Sequence, residues 1–421
     1  MNNSRRSFLR NTTLALGGLG FIQLPQLAEA ATTSTPPPIT SGPDDFWEWV
    51  RQSYTVSSNL INLNNGGVSP QPKVVQEVFE HYNRYSNEAP SYFMWRILDR
   101  GREDVRRDLA SLCGALPEEI SICRNATEAL DIAIFGIDLE KGDEVIVTNY
   151  DYPNMRHAWM QREKREGIKL VWIDIPIGED NTEKIVQLFA NAVTKKTKVI
   201  HLTHLINWTG HILPAKEICK MAKEKNILTV LDAAHSFAHV NVDFHDIGCD
   251  YAGTSLHKWL CAPFGTGMLY VKKEKIAGLW PMMPNDKPQG EDIKKFESLG
   301  TRSFPAEMAV GRAIEFHLSI GMQRKEERLR FLKNYWVNKV KHHPKIKFFS
   351  PLSDHASCAI ATVGIEGKTH VEIENFLIDK FQIHCVAIEW EKVNGVRITP
   401  HVYTSTRDLD RLVEGLLACA G

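Results

Sequence analysis

The chain lacks any spacing of cysteine and histidine that would hold a metal. Its eight cysteines, at 113, 123, 219, 249, 261, 358, 385 and 419, form no Cys-x-x-Cys pair, so a metal site is not expected. Most fall within apolar segments and read as small core residues. Net charge is nearly absent, at -1. With no basic stripe carrying interleaved aromatics, nothing supports nucleic-acid binding. No internal repeat appears, and no apolar run is long enough to span a bilayer comfortably.

What is present is ordinary soluble globular material: 421 residues, 43% hydrophobic and 24% charged. That is ample for a core. Length is compatible with two or three domains, or with one large α/β domain and a smaller one. The N-terminus differs in texture. SRRSFLR (4–10) precedes a mildly apolar stretch (14–24) interrupted by Gly17, Gly18 and Gly20, and AEA (28–30) offers small residues for cleavage. This resembles a twin-arginine export signal over residues 1–30. A linker over 31–45 follows, rich in Thr, Ser and Pro. The expected location is periplasmic, or otherwise extracytoplasmic, and export would permit disulfides that the cysteine spacing does not ask for.

From about residue 62 to 304, short β-type runs alternate with helical segments. Candidate strands are 120–123, 144–148, 170–173, 198–203, 227–232, the run before Lys258, and 267–271. Residues 214–225 read as a helix, with Ile218, Met221 and Ala222 at helical spacing. Apolar runs separated by helices imply an α/β fold with a mostly parallel, seven-stranded type of sheet flanked by helices. Beyond residue 305 the texture changes. A long charged helical stretch (307–341) leads to strands (359–363, 383–388, 395–399) and helices (369–380, 406–417), a small C-terminal α+β domain to which 46–61 is added.

Two residues carry the chemistry. ILTVLD (227–232) ends in Asp232, and YAGTSLHKWL (251–260) holds Lys258 just past the next strand. Ligands of such sheets collect at the carboxyl ends of the strands. A lysine amine there can form an imine with the aldehyde of pyridoxal 5'-phosphate, and an aspartate can hold a proton on the pyridine nitrogen. Taken singly, Lys258 is a surface lysine and Asp232 a strand-end cap. Ala126 and Thr127 open a helix after a strand. Their free N–H groups, the positive end of the helix dipole and the Thr127 hydroxyl suit a phosphate dianion, while Asn125 reads as an N-cap.

GDEVIVT (142–148), DAAH (232–235), SLHK (255–258) and LGTR (299–302) resemble the class V aminotransferase family of fold-type I pyridoxal phosphate enzymes. The resemblance spans nearly the whole chain after the linker. RNATEAL (124–130), His204 with Thr209 and Gly210, and VRITPHVY (396–403) lean toward its isopenicillin N epimerase-like branch. It implies that Ser255 and His257 bind the phosphate, and that Thr301 reaches the phosphate of a neighbouring subunit in a homodimer with shared active sites. It implies that Tyr152 stacks on the pyridine ring and that Asn207 and His235 lie near the phenolic oxygen. Arg397 becomes the clamp for a substrate α-carboxylate, a task suited to a planar guanidinium. Arg96 and Arg302 are further candidates on the substrate side.

A desulfurase needs a mobile cysteine shortly before that arginine. Cys385 lies instead inside the strand-like run IHCVAI (383–388). The expectation is therefore an exported enzyme acting at the Cα of an amino acid or amino-acid derivative through a Lys258 aldimine. Epimerase, aminotransferase and carbon–sulfur lyase chemistry all begin with the same proton transfer. Cysteine desulfurase and a non-catalytic binding relative are the remaining alternatives. Export by the twin-arginine route carries folded proteins, so the cofactor could be loaded in the cytoplasm.

Overall fold

The computed structural model describes residues 43–421. The expected signal over 1–30 and the linker up to residue 42 lie outside the described residues. The described chain begins with α1 (Pro43–Gln52), β1 (Ile61–Asn62) and α2 (Lys73–Glu88). A π-helical turn, Phe93–Leu98, leads into α3 (Asp99–Leu112).

Strands and helices then alternate. They are β2 (Ile120–Cys123), α4 (Ala126–Gly136), β3 (Glu144–Thr148), α5 (Pro153–Glu166), β4 (Lys169–Ile173), α6 (Thr182–Ala192), β5 (Thr197–Thr203), α7 (Ala215–Glu224), β6 (Leu228–Asp232), β7 (Tyr251–Ser255) and β8 (Gly267–Val271). Strands β2 to β8 form one sheet in the order β2-β8-β7-β6-β5-β3-β4. Strand β8 runs antiparallel to both its neighbours, and the other pairings are parallel. Strands β2, β7 and β8 are buried along their whole length, as a sheet covered on both faces requires. Helix α7 covers it with Ile218, Cys219 and Ala222. Asn125 and Asn181 cap α4 and α6 by accepting the Glu128 and Lys184 amides.

The remaining elements are α8 (Phe304–Ile320), α9 (Met322–Val340), β9 (Ile346–Phe348), β10 (Ala361–Ile365), α10 (His370–Phe381), β11 (Ile383–His384), β12 (Val386–Trp390), β13 (Val393–Ile398) and α11 (Thr406–Ala420). An antiparallel sheet in the order β12-β13-β10-β9 has its own apolar core, which includes Trp336, Ile365, Leu377, Ile398 and Leu412. The described segment before β2 contacts both parts of the fold, its Ser69 amide donating to the His257 carbonyl on the large-sheet side. Strand β1 pairs in parallel with β11, and Asn64 bridges to Thr399.

Two sequence readings need correction. The stretch 307–341 is not one helix. Gly321 stands between α8 and α9 with φ +86°, a conformation glycine adopts without penalty. The break lets α8 pack on α2 and α3 while α9 packs on α11. Likewise 383–388 is not one strand. Residues 383–384 pair with β1 and 386–390 with β13, and Cys385 sits buried at the change of sheet. The aromatic face of α1 turns toward α8, with Trp49 and Phe316 rings 5.8 Å apart.

Candidate active site

The site is assembled at the carboxyl ends of β2, β6 and β7. Strand β8 separates β2 from β7, and its first residue, Gly267, lies opposite both Cys123 and Ser255. Because Gly267 has no side chain, the chain leaving β2 passes directly over it. A Cβ there would lie 2.6 Å from the Cα of Asn125. The close approach brings the start of α4 to the end of β7, where the Ala126 amide donates to Ser255 Oγ at 2.9 Å. Asn125 takes the Glu128 amide, also at 2.9 Å. The Thr127 amide between them is left for a ligand. His257 Nδ1 lies 3.1 Å from the Thr266 carbonyl oxygen. A carbonyl has no proton to give, so Nδ1 carries one. The other ring nitrogen then donates to an anion only when the ring is protonated, which burial opposes.

Asp232 faces Gly253 across β6 and β7. Burial raises the proton affinity of its carboxyl, while the Ala234 amide, donating at 2.9 Å, and the neighbouring His201 and Lys258 lower it. A cationic partner would let this carboxylate stay charged. Lys258 lies just beyond β7. Its side chain is part-buried, with protein atoms crowded around the amine. Burial pushes that amine down to about 8, against the pull of Asp232. Nζ is 3.2 Å from His235 Nε2. The Trp259 indole N–H points at His235 Nδ1 over 3.4 Å.

Arg397, in β13, reaches over from the small sheet. It donates to the Asn207 carbonyl at 3.1 Å and to Asn64 Oδ1 at 2.9 Å. Burial lowers its guanidinium to about 10, and the nearby Tyr152 phenol opposes that shift. Tyr152 itself precedes α5 and is 40% exposed, so its ring is accessible from the open side. Asn64 and Gly66 belong to this group and were missed in the sequence. A Cβ on Gly66 would meet Thr399 at 3.0 Å, and Arg397 and His235 at 3.6 Å each. The loop NNGG (64–67) signals a turn, but nothing local says that it turns beneath Arg397.

Other expected residues stand apart. Thr301 is exposed on the loop before α8 and makes no hydrogen bond to any of these groups. Arg302 is held within its own neighbourhood by Glu307 at 2.9 Å and Asp99 at 3.2 Å. Arg96 is exposed on the π-helical turn. Cys385 lies in the core of the small sheet, where burial pushes its thiol up to about 12.

The residues fit pyridoxal phosphate. Several buried polar atoms near Asp232 and Arg397 have no partner within the chain, including Asn207 Oδ1, His204 Nδ1, Arg397 Nε and both ring nitrogens of His201. Such atoms are costly unless a ligand or water meets them. The Thr127 amide and the Ser255 hydroxyl, whose oxygen already accepts and whose proton is free, would hold a phosphate. Asp232 and Lys258 would meet the ring and the aldehyde. Among the described residues no cluster of His, Cys, Asp and Glu could hold a metal, and no helix is long and apolar enough to cross a membrane.

Comparison with known proteins bears on the family and the fold. The family model for aminotransferase class-V matches residues 61–412. Isopenicillin N epimerase of Streptomyces clavuligerus is 26% identical over 392 residues, covering 89% of this chain and 98% of that protein. A probable cysteine desulfurase of Synechocystis sp. is 26% identical over 403 residues, covering 88% of this chain and 94% of that one. A solved structure of a C-DES mutant, with glycine covalently linked to its PLP cofactor, superposes with a TM-score of 0.79 at 20% identity. It covers 87% of this chain and 98% of that one, and it carries the fold alone. The family match spans most of the chain, and the protein belongs to the aminotransferase class-V family of pyridoxal phosphate-dependent enzymes.

Proposed function

We propose that the protein moves the Cα proton of an amino acid or amino-acid derivative, in the manner of an epimerase. When bound, pyridoxal phosphate supplies the electron sink that acidifies the substrate Cα–H. The chain's own residues do the rest. Arg397 would grip the carboxylate and orient the substrate so that the Cα–H bond is the one presented for cleavage. Asp232 holds a proton at the pyridine nitrogen. Lys258, once displaced by substrate, takes and returns the proton at Cα. Tyr152 would stack on the ring, Asn207 and His235 would meet the phenolic oxygen, and Thr127 and Ser255 would take the phosphate, with the Ala126 amide bracing Ser255 and His257 joining them when protonated.

The observation that carries this reading is the Lys258 amine. It is deep, 3.2 Å from His235, and held near the pH at which it can both accept and give a proton. The epimerase flavour is supported by similarity to two isopenicillin N epimerases, at 26% and 25% identity. Aminotransferase and carbon–sulfur lyase activities share the first step and are separated by product analysis. Cysteine desulfurase is disfavoured. All eight cysteines are buried, and Cys385 is fixed between two sheets with a reluctant thiol.

The test is Cα hydrogen–deuterium exchange in D2O across L- and D-amino acids and short peptides. Exchange that persists undiminished in Lys258→Ala would overturn the assignment. Two further parts of the proposal concern the cell. Exposure of Thr301 suits contact with the phosphate of a second copy in a homodimer, which the mass of the particle in solution checks. Export by the twin-arginine machinery predicts a mature N-terminus near residue 31 in an extracytoplasmic fraction.

A further inference from the structure

We propose that Trp259 is a positioning residue: its indole N–H fixes the tautomer of His235, so that His235 turns Nε2–H toward Lys258 and disfavours the ammonium form of that lysine. The inference rests on Lys258 being the amine that receives the cofactor.

The chemistry follows from donors and acceptors. An indole nitrogen only donates. Trp259 Nε1 lies 3.4 Å from His235 Nδ1, so Nδ1 must offer a lone pair. A proton on that nitrogen would oppose the indole N–H. Neutral His235 therefore carries its proton on Nε2, 3.2 Å from Lys258 Nζ. An ammonium at Nζ has no lone pair with which to accept it, whereas an amine does.

Trp259 is held rigidly enough to enforce this. It is fully buried. His239 stacks on it with ring centres 3.6 Å apart and planes 19° apart, and His401 does so at 5.6 Å and 16°. Lys325 donates to its carbonyl oxygen. His239 is itself committed at both nitrogens. Nδ1 reaches the His235 carbonyl at 2.7 Å, and Nε2 accepts the Ala359 amide at 3.0 Å. Thus His239 clamps the backbone of His235 and the tryptophan that sets its ring. The charged and titratable groups facing the pair are Asp232 and Arg397 around Lys258, and Arg397 and His239 around His235. Burial holds His235 neutral, and Arg397 and Lys258 add to that effect.

The experiment uses the full chain freed of cofactor. Nitrogen-15 NMR, with His235→Gln to assign the ring, should show Nε2 protonated and Nδ1 bearing the lone pair. Trp259→Phe should give a mixture of tautomers. In that variant His235 can accept from an ammonium, so the pH midpoint for capture of pyridoxal phosphate should rise by about one unit, a roughly tenfold loss of free amine below it. Wild-type protein with Nδ1 protonated overturns the proposal, as does Trp259→Phe with tautomer and midpoint unchanged. Should the variant not fold, the wild-type tautomer decides alone. Borohydride reduction and peptide mapping separately report whether Lys258 carries the cofactor, so the two readings fail independently.

Discussion

The hydroxyl of Ser255 accepts the amide proton of Ala126 at 2.9 Å, across 129 positions of sequence. This bond joins the end of β7 to the start of α4 and sets Ser255 beside the first turn of that helix.

Ser255→Ala removes an acceptor from a buried amide and a donor from the phosphate seat. Loss of stability of about 1–3 kcal/mol is expected for the unpaired amide, with weaker retention of pyridoxal phosphate. Thermal unfolding and equilibrium titration of the cofactor measure the two effects. An unchanged dissociation constant would remove Ser255 from the phosphate site.

Arg397→Lys keeps the charge but loses the fork that bridges the Asn207 carbonyl and Asn64 Oδ1. We expect kcat/KM to fall about 100-fold, roughly 3 kcal/mol of lost carboxylate recognition. Substrates lacking the α-carboxylate should lose much less. Equal losses for both kinds of substrate would mean that the arginine is structural.

Lys258 contributes a pH-dependent cost to the cofactor-free protein. Its amine is lowered to about 8 in the fold, from an ordinary value of 10.5. Between those values the unfolded chain binds more protons than the native one, so this group's contribution to stability rises with pH. Below pH 8 both states are protonated and the full penalty for a buried cation is present. Lys258→Met should therefore be more stable than wild type by about 3 kcal/mol at neutral pH, with the gap closing toward pH 10.5. Urea denaturation at several pH values checks this. A gap that does not depend on pH would contradict the burial of the amine.

Gly267→Ala and Gly300→Ala separate close approach from backbone strain. At Gly267 a Cβ would strike the Asn125 backbone at 2.6 Å, so a loss of about 1–3 kcal/mol and weaker cofactor binding are expected. Gly300 has φ +80° and open space around it, so its substitution should cost only about 1 kcal/mol of strain. Denaturation midpoints and cofactor titration distinguish the two. Indistinguishable variants would argue against the packing of Asn125 over β8.

Much of the architecture could be read locally. Apolar runs of strand length gave the positions of β2 to β8 to within a residue or so, because burial on both sheet faces demands continuous hydrophobicity. The Asn125 cap was visible for the same local reason, since a cap needs only its own turn. Breaks set by partners were not visible. IHCVAI (383–388) reads as one strand because its residues have strand propensity throughout, yet its two halves belong to different sheets.

By itself the amino-acid order determined where the strands of the large sheet run, and that Asp232 and Lys258 fall at strand ends on one edge of it. Only the tertiary structure decided that Asn64 supports Arg397, that Gly267 lets Ala126 meet Ser255, and that Trp259 faces His235. Periodicity reports the environment of each segment, and it is set by hydrophobic burial over a few residues. A hydrogen bond between distant side chains depends on how whole segments dock, and no local pattern carries that information.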